Sequence, residues 1–438
     1  MKVYEAVLDQ LIGSGVGYFA GMVGSTSAPY AATLGQRNDV RYIGVRHEQV
    51  AGALIEATAR LTGRPGCVMV HGGSGLLAAS LGIASSALDS TPMIVLTATQ
   101  ERRAMENGWW QAMDVLAPLD GLAKWQSRIE RPDQAVGAVR RALREAVTGR
   151  PGVAQLDIPI DVSIAALDDD ELPETTPHAA PLHRPFPDPD KVAAVAGLLH
   201  EAERPVILIG GGASYSGAGA ALLRLAERLH APVVNTATSR GVVPETHELV
   251  LGPSGIVGFE PMGNAIREAD LVLAIGSRMS DVQLSRGELL PPGAPIVQVD
   301  IDGAAIGRDH VPTVAVVADA RAFTERLNAV LDDAAPAVPE ARRDWVESLN
   351  KRSADWTAAW FDATPANGLV QPQDAVMAML ELAPETIFTH GAGDHEFYGY
   401  MVPVAEPGAH LLSSRLGAMG CALGLGQFAE VLGAHHLL

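Results

Sequence analysis

Short apolar runs alternate with stretches of helical period through most of the chain. Between residues 40 and 88 the pattern predicts a strand over Val40–Val45, a helix over His47–Thr62, a strand over Gly66–His71 and a helix over Gly75–Leu88. In the first of these helices Val50, Leu54, Ala57 and Leu61 fall on one face, and the Gly63-Arg64-Pro65-Gly66 cluster ends it. Met1 to Gly15 also reads as an amphipathic helix. The alternation continues with a strand at Met93–Ala98, a helix near Gln134–Thr148 and a strand at Val153–Ile158. Further strands are expected at Pro205–Gly210, Pro232–Asn235, Leu271–Ile275 and Ile296–Ile301. A helix at Gln373–Leu382 and a strand at Thr386–His390 close the series.

Alternation of this kind predicts an α/β fold of mainly parallel sheets covered by helices on both faces. Changes in composition divide it into three consecutive α/β domains. The first spans residues 1–166. A linker at 167–190 carries the acidic run Asp168-Asp169-Asp170-Glu171 and then Pro173, Pro177, Pro181, Pro185, Pro187 and Pro189, a composition suited to a solvated connection. A central Rossmann-like unit covers 191–335. A linker and helical segment follow at 336–363, with Trp345, Trp356 and Trp360 as expected packing anchors. The third unit, 364–438, is short for an independent α/β domain and reads as incomplete.

Charge narrows the partners. With 32 basic against 51 acidic residues the net charge is -19, which disfavours nucleic acid and anionic membrane surfaces. Cys67 and Cys421 make neither a disulfide framework nor a metal-ligand pair, as expected of a cytoplasmic protein. No uninterrupted apolar run is long enough to cross a bilayer, and the N-terminal stretch lacks the apolar core of a signal peptide.

Candidate chemistry gathers at strand-to-helix junctions, because ligands of open parallel sheets bind beyond the carboxyl ends of the strands. Gly24-Ser25, Glu48 and His71 through Gly75 should share such an edge. Glu48 lies in the first turn of its helix, where the helix dipole favours a carboxylate. His71, at a strand end beside a glycine loop, suits either a proton relay or a satisfied, partly buried histidine. Gly210-Gly211-Gly212 follows the strand PVILI, but Tyr215 stands where the third glycine of a dinucleotide fingerprint belongs. The next strand ends in Thr236-Ala237-Thr238, with no acid for a ribose, so a structural glycine turn is the expectation.

The strings RHEQVAGALIEATARLTGRPG, VHGGSG and GIASSALDSTPMIVLTA, followed by RPVILIGGG, ADLVLAIGSRMSD, IVQVDIDGAAIG and SSRLGAMGCALGLG, together resemble the thiamine diphosphate enzymes of the acetolactate synthase and 2-oxo acid decarboxylase superfamily. The resemblance covers almost the whole chain. It implies domains that bind the pyrimidine, form a non-catalytic centre and bind the diphosphate. It also implies a homodimer or tetramer, with the cofactor between the first domain of one subunit and the third of another, and a small 2-oxo acid as substrate. By this resemblance Glu48 matches the acid that hydrogen-bonds the aminopyrimidine, and Gly417 and Met419 match the segment that receives its amino group and props the cofactor. Met419 read alone would be an ordinary core methionine. Gly73 and Gly75 fall in the glycine loop beside the cofactor, and Gly393 and His395 in the segment that contacts the diphosphate.

Within that superfamily two groups are matched. Arg46-His47-Glu48-Gln49, Asp89-Ser90 with Pro92-Met93, and Gln111 in GWWQAMD resemble acetolactate synthases, which decarboxylate one 2-oxo acid and ligate the fragment to another carbonyl. His71, Ser25 and Arg103-Ala104-Met105 resemble benzoylformate decarboxylases, which release an aldehyde. Ser25 and Gln111 are then the candidate substrate contacts. The flavin (FAD) of true synthases is not expected, since their Arg-Phe-Asp-Asp pattern here reads Arg278-Met279-Ser280-Asp281. The superfamily's Gly-Asp-Gly and Asn elements, which hold magnesium (Mg2+) and diphosphate, are missing, as in a truncated gene. Asp394, His395 and Glu396 are consecutive and make a poor substitute, so no metal ligands are assigned. A catalytically inactive, dimerising or regulatory homologue is the remaining expectation.

Overall fold

In the computed structural model the described residues are 1–167, 175–256, 258–334, 338–361, 369–382, 386–431 and 436–437. The acidic run Asp168-Asp169-Asp170-Glu171, Pro173 and the expected start of the third unit at Thr364 lie outside them.

Two six-stranded parallel sheets and one three-stranded parallel sheet build the molecule, so the α/β architecture read from the alternation is what the chain adopts. The first sheet contains β1 (Tyr18–Gly21), β2 (Arg41–Gly44), β3 (Gly66–His71), β4 (Met93–Thr99), β5 (Trp125–Arg128) and β6 (Val153–Pro159), in the order β2-β1-β3-β4-β6-β5. The second contains β7 (Pro205–Ile209), β8 (Val233–Asn235), β9 (Val250–Pro253), β10 (Leu271–Ile275), β11 (Ile296–Asp300) and β12 (Val314–Val317), in the order β12-β11-β10-β7-β8-β9. β13 (Ile387–His390), β14 (His410–Leu412) and β15 (His436–Leu437) form the third, with β13 in the middle.

Most strands coincide with expected ones, β2 and β8 included; β1, β5, β9, β12, β14 and β15, each two to four residues long, were not expected. Four residues carry too little periodicity to separate a strand from a loop. β3, β4 and β6 are buried at every position because helices cover both faces of the sheet.

Four helices matter for the site: α1 (Val3–Gly13), α2 (Ala28–Leu34), α3 (Glu48–Thr62) and α4 (Ser74–Leu88). The periodicity of α3 marked one apolar face, yet Ala51 through Ala59 are all buried. α4 packs on one side of α3 and the Cys421–Val431 helix of the third unit packs on another. Small residues allow the close approach: a Cβ on Gly52 would lie 2.7 Å from Gly82 Cα, and one on Gly424 would lie 2.8 Å from Ala53 Cβ. The first and third units therefore share a core through α3, and Leu54, Ile55, Leu76, Cys421, Leu425 and Phe428 belong to one buried cluster.

The three tryptophans act as anchors. Trp345 is buried in the central core, while Trp356 and Trp360 stack on each other and on Phe259 with ring centroids 4.7 to 6.0 Å apart. No helix of the described residues is long and apolar enough to cross a membrane.

Candidate active site at the carboxyl edge of the first sheet

β1, β2 and β3 run parallel and end at Gly21, Gly44 and His71, so the segments that follow them emerge on one edge. After β2, His47 caps α3: its Nδ1 accepts the Gln49 N–H at 3.3 Å. Glu48 is the first residue of the helix, half-buried, in the first turn that attracts a carboxylate. Its Oε1 rests against the start of α4, where a Cβ on Gly75 would lie 3.3 Å away. Gly73 caps α4 with φ +79°, a backbone open to glycine and strained for other residues.

His71 ends β3 and is 8 % exposed. Its Nδ1 lies 2.6 Å from Thr26 Oγ1. The Thr26 hydroxyl itself donates to the Ala98 carbonyl, so it has no proton left for the ring. Nδ1 therefore carries the hydrogen and donates it to Thr26. Nε2 is then the lone-pair nitrogen, and among the described residues it is buried with no hydrogen-bond partner. Burial holds His71 below the ordinary histidine range, while the neighbouring Gln111 side chain and Glu48 carboxylate pull in the opposite direction. Gly24 makes room for the ring: a Cβ there would stand 2.6 Å from His71 Cβ.

Ser25 and Gln111 are both exposed beside this edge. Gln111 adopts φ +62°, its Oε1 accepts from Gln100 Nε2 at 3.3 Å, and its carbonyl lies 3.8 Å from the position of a Gly73 Cβ.

The third unit approaches through two loops. A Cβ on Gly417 would lie 3.6 Å from Ala392 Cβ, and one on Gly391 would lie 3.7 Å from the Gly420 nitrogen, so the segments after β13 and after β14 touch. Gln49 then joins them to α3, its Nε2 donating to the Met419 carbonyl at 3.2 Å. This junction forms within one chain, whereas the resemblance places the two halves on different subunits. Met419 is 73 % exposed rather than packed as a core methionine. Gly393 and His395 lie on the exposed part of the neighbouring loop, with the His395 ring folded over Gly393 at 2.8 Å from its would-be Cβ. Among the described residues no group of three or more His, Cys, Asp or Glu side chains could hold a metal ion.

Sequence reasoning passed over Thr26, and it named Gln49 only as part of a motif. Thr26 sits beside Ser25 in a turn, and only the fold shows that the threonine is buried against His71 while the serine faces out.

A second cleft, with about 960 Å3 of empty space including its mouth, lies among the three units and is lined by Gly210, Gly211, Gly212, Arg150, Arg278 and Arg415 among others. Its glycines have a packing reason: a Cβ on Gly210 would lie 2.4 Å from the Gly276 carbonyl oxygen. Burial, and then the nearby Arg150 and Arg415 charges, bring Arg278 down to about 10.

Comparison with known proteins covers four strands of the first sheet and all of the second. Residues 1–117 match the N-terminal TPP binding domain of thiamine pyrophosphate enzymes, and residues 192–327 match their central domain. A probable acetolactate synthase large subunit of Methanocaldococcus jannaschii is 32% identical over 430 residues, covering 96% of this chain and 72% of the relative. The acetolactate synthase large subunit of Corynebacterium glutamicum is 32% identical across 92% of this chain and 64% of its own length, and that of Parasynechococcus marenigrum is 30% identical across 97% and 69%. The chain thus spans roughly two thirds to three quarters of the length of these relatives. With both domain matches lying on the sheets that carry the Glu48 edge and the central cleft, the chain belongs to the thiamine pyrophosphate enzyme family and is a homologue of the acetolactate synthase large subunits.

Proposed function

We propose that the chain supplies the pyrimidine side of a thiamine diphosphate site for decarboxylation of a small 2-oxo acid, followed by ligation of the fragment to a second carbonyl. The observation that carries this reading is the Glu48 carboxylate set against Gly75, with the bare Nε2 of His71 nearby. These residues fit the cofactor. A half-buried carboxylate at a helix N-terminus can accept a ring N–H, and the cradle at Gly75 would be filled by any side chain.

When bound, thiamine diphosphate supplies a nucleophilic carbon and an electron-accepting ring. The chain's residues do the rest. Glu48 holds the pyrimidine by a hydrogen bond to a ring nitrogen, and Gly417 offers its main chain to the amino group while Met419 props the cofactor. Gly73 and Gly75 keep the wall of the pocket free of side chains, and Gly393 with His395 approach the diphosphate. Ser25 and Gln111 face the substrate.

The acetolactate synthase relatives favour ligation over aldehyde release. With the hydrogen on Nδ1 committed to Thr26, His71 presents Nε2 to orient a reacting group and to accept a proton. Release of an aldehyde, as in the benzoylformate decarboxylase-like alternative, needs a proton delivered to the product carbon.

Magnesium, which the resemblance implies, is given no ligands among the described residues, and no step is assigned to it. A flavin is not assigned to the central cleft either, since its glycine turn is explained by packing against Gly276. Exposed Leu77 and Leu81, one turn apart on α4, together with Met419 and Leu423, favour a second copy of the chain as partner. A dimerising or regulatory role beside another copy would draw on the same exposed residues.

Calorimetry with thiamine diphosphate and magnesium at millimolar concentration tests the reading. Heat of binding that is lost in Glu48→Gln is the expected result. Absence of binding by the unaltered chain removes the claim that this polypeptide alone forms the site.

A further inference from the structure

Behind the candidate site, buried acids of the first unit hold the third unit by its main chain. Asp89 follows α4 and is 7 % exposed. One of its carboxylate oxygens accepts the Ser414 N–H at 2.8 Å and the other accepts the Arg415 N–H at 2.9 Å. Arg60, from the last turn of α3, donates to Asp89 at 2.7 Å and pairs with Glu56 at 2.8 Å.

Glu56 reaches the same segment by another route. Ser85 Oγ lies 2.7 Å from the Glu56 carboxyl and 2.8 Å from Ser413 Oγ, so its hydroxyl links the acid to Ser413. The Ser413 oxygen in turn accepts the Ala418 N–H at 3.2 Å. Residues 413–415 are therefore held by side chains of the first unit, and the Ser413 hydroxyl ties Ala418 back to them. Gly417 and Met419 lie at the end of that stretch, where Gln49, at the start of α3, donates to the Met419 carbonyl.

We infer that Asp89 is a positioning residue: through two main-chain N–H groups it sets the Ser413–Gly420 segment against the N-terminus of α3, assisted by the Glu56–Ser85–Ser413 chain. It touches neither cofactor nor substrate in this arrangement. The inference rests on the reading that Gly417 and Met419 seat the cofactor, and it adds what holds them there. Chemistry explains the choice of an acid. Only a carboxylate offers acceptors on both oxygens, and an amide would turn one N–H2 group toward an N–H donor.

The test compares the unaltered chain with Asp89→Asn, Ser413→Ala, Glu48→Gln and, as a buried acid bonded to Arg184, Ser216 and Ala322 rather than to the third unit, Asp319→Asn. Amide hydrogen exchange over residues 413–420 and thiamine diphosphate affinity by calorimetry are measured on each folded variant. Asp89→Asn is expected to speed exchange in that segment and to weaken cofactor affinity by on the order of tenfold or more. Ser413→Ala should do the same to a smaller degree, chiefly at Ala418. Where turnover is measurable, saturating cofactor should restore it in Asp89→Asn and not in Glu48→Gln.

Exchange over 413–420 that is unchanged in Asp89→Asn, or raised as much by Asp319→Asn, overturns the proposal. If Asp89→Asn does not fold, Ser413→Ala decides by the same two readouts. If the unaltered chain binds no thiamine diphosphate, the reading of the site falls, while the exchange result still decides whether Asp89 holds the segment.

Discussion

The two six-stranded sheets are built alike and end differently. Both are fully parallel, both bury their central strands, and both turn from strand to helix through glycines. At the edge of the first sheet, glycines make room for functional groups: Gly24 for the His71 ring and Gly75 for the Glu48 carboxylate. At the edge of the second, Gly210 makes room for the close approach of the Gly276-Ser277 turn. A shared fold therefore says little about chemistry, and the groups admitted by the missing Cβ atoms say more.

The largest effect expected from breaking this contrast comes at Glu48. Glu48→Gln keeps the shape and removes the charge. It should lower turnover by roughly a hundredfold or more, the scale of acid-base groups, with little change in thermal midpoint. Steady-state rates of the assembled enzyme check this, and an unchanged rate would remove Glu48 from the mechanism.

Paired glycine substitutions sharpen the comparison directly. Gly24→Ala and Gly210→Ala each force a methyl into a contact shorter than 3 Å. Each should cost about 1–3 kcal/mol in urea unfolding, the usual scale of overpacking. Only Gly24→Ala should also slow turnover, by on the order of tenfold, because only there does the methyl displace a catalytic ring. Equal losses of rate would show that the two edges are not functionally distinct.

A smaller effect is expected at Thr26. Thr26→Val removes the acceptor of His71 Nδ1–H and should cost about 1 kcal/mol, with a rate loss of a few-fold as the ring loses its fixed tautomer. Nitrogen NMR of the imidazole reads the tautomer itself, and an unchanged Nδ1–H signal would contradict the assignment.

The smallest effects concern pH, and they have opposite signs. Burial raises Glu56 to about 7, so the folded chain holds a proton that the unfolded chain has released. Its contribution makes stability fall as pH rises from about 4.5 toward 7, and Glu56→Gln should flatten that slope. His71 is lowered, so the unfolded chain binds its proton first, and stability is lost as pH falls below about 6.5. His71→Gln should remove this acid-side loss. Urea titrations of the two variants between pH 4 and 8 separate the slopes.

Much of the site was legible because its signals are local. Glu48 at a helix start, His71 at a strand end and the glycines of residues 72–75 all follow from periodicity and punctuation in adjacent residues. Ser25 drew attention by its place in a motif, yet the buried neighbour that governs His71 is Thr26. Asp89 drew attention only within Asp89-Ser90, and its partners at Ser414 and Arg415 lie more than 300 residues away. The periodicity of α3 showed one apolar face, because sequence cannot register that a helix from the third unit covers another.

The sequence by itself determined the α/β alternation, the strand edges on which chemistry could gather, and the family, since these depend on residue order along short stretches. Only the tertiary structure decided which proton His71 carries, which glycines serve function rather than packing, and how Gly417 and Met419 are brought to α3. Those outcomes depend on contacts between segments remote in the chain, and such contacts are set by burial and hydrogen-bond geometry that no local pattern encodes.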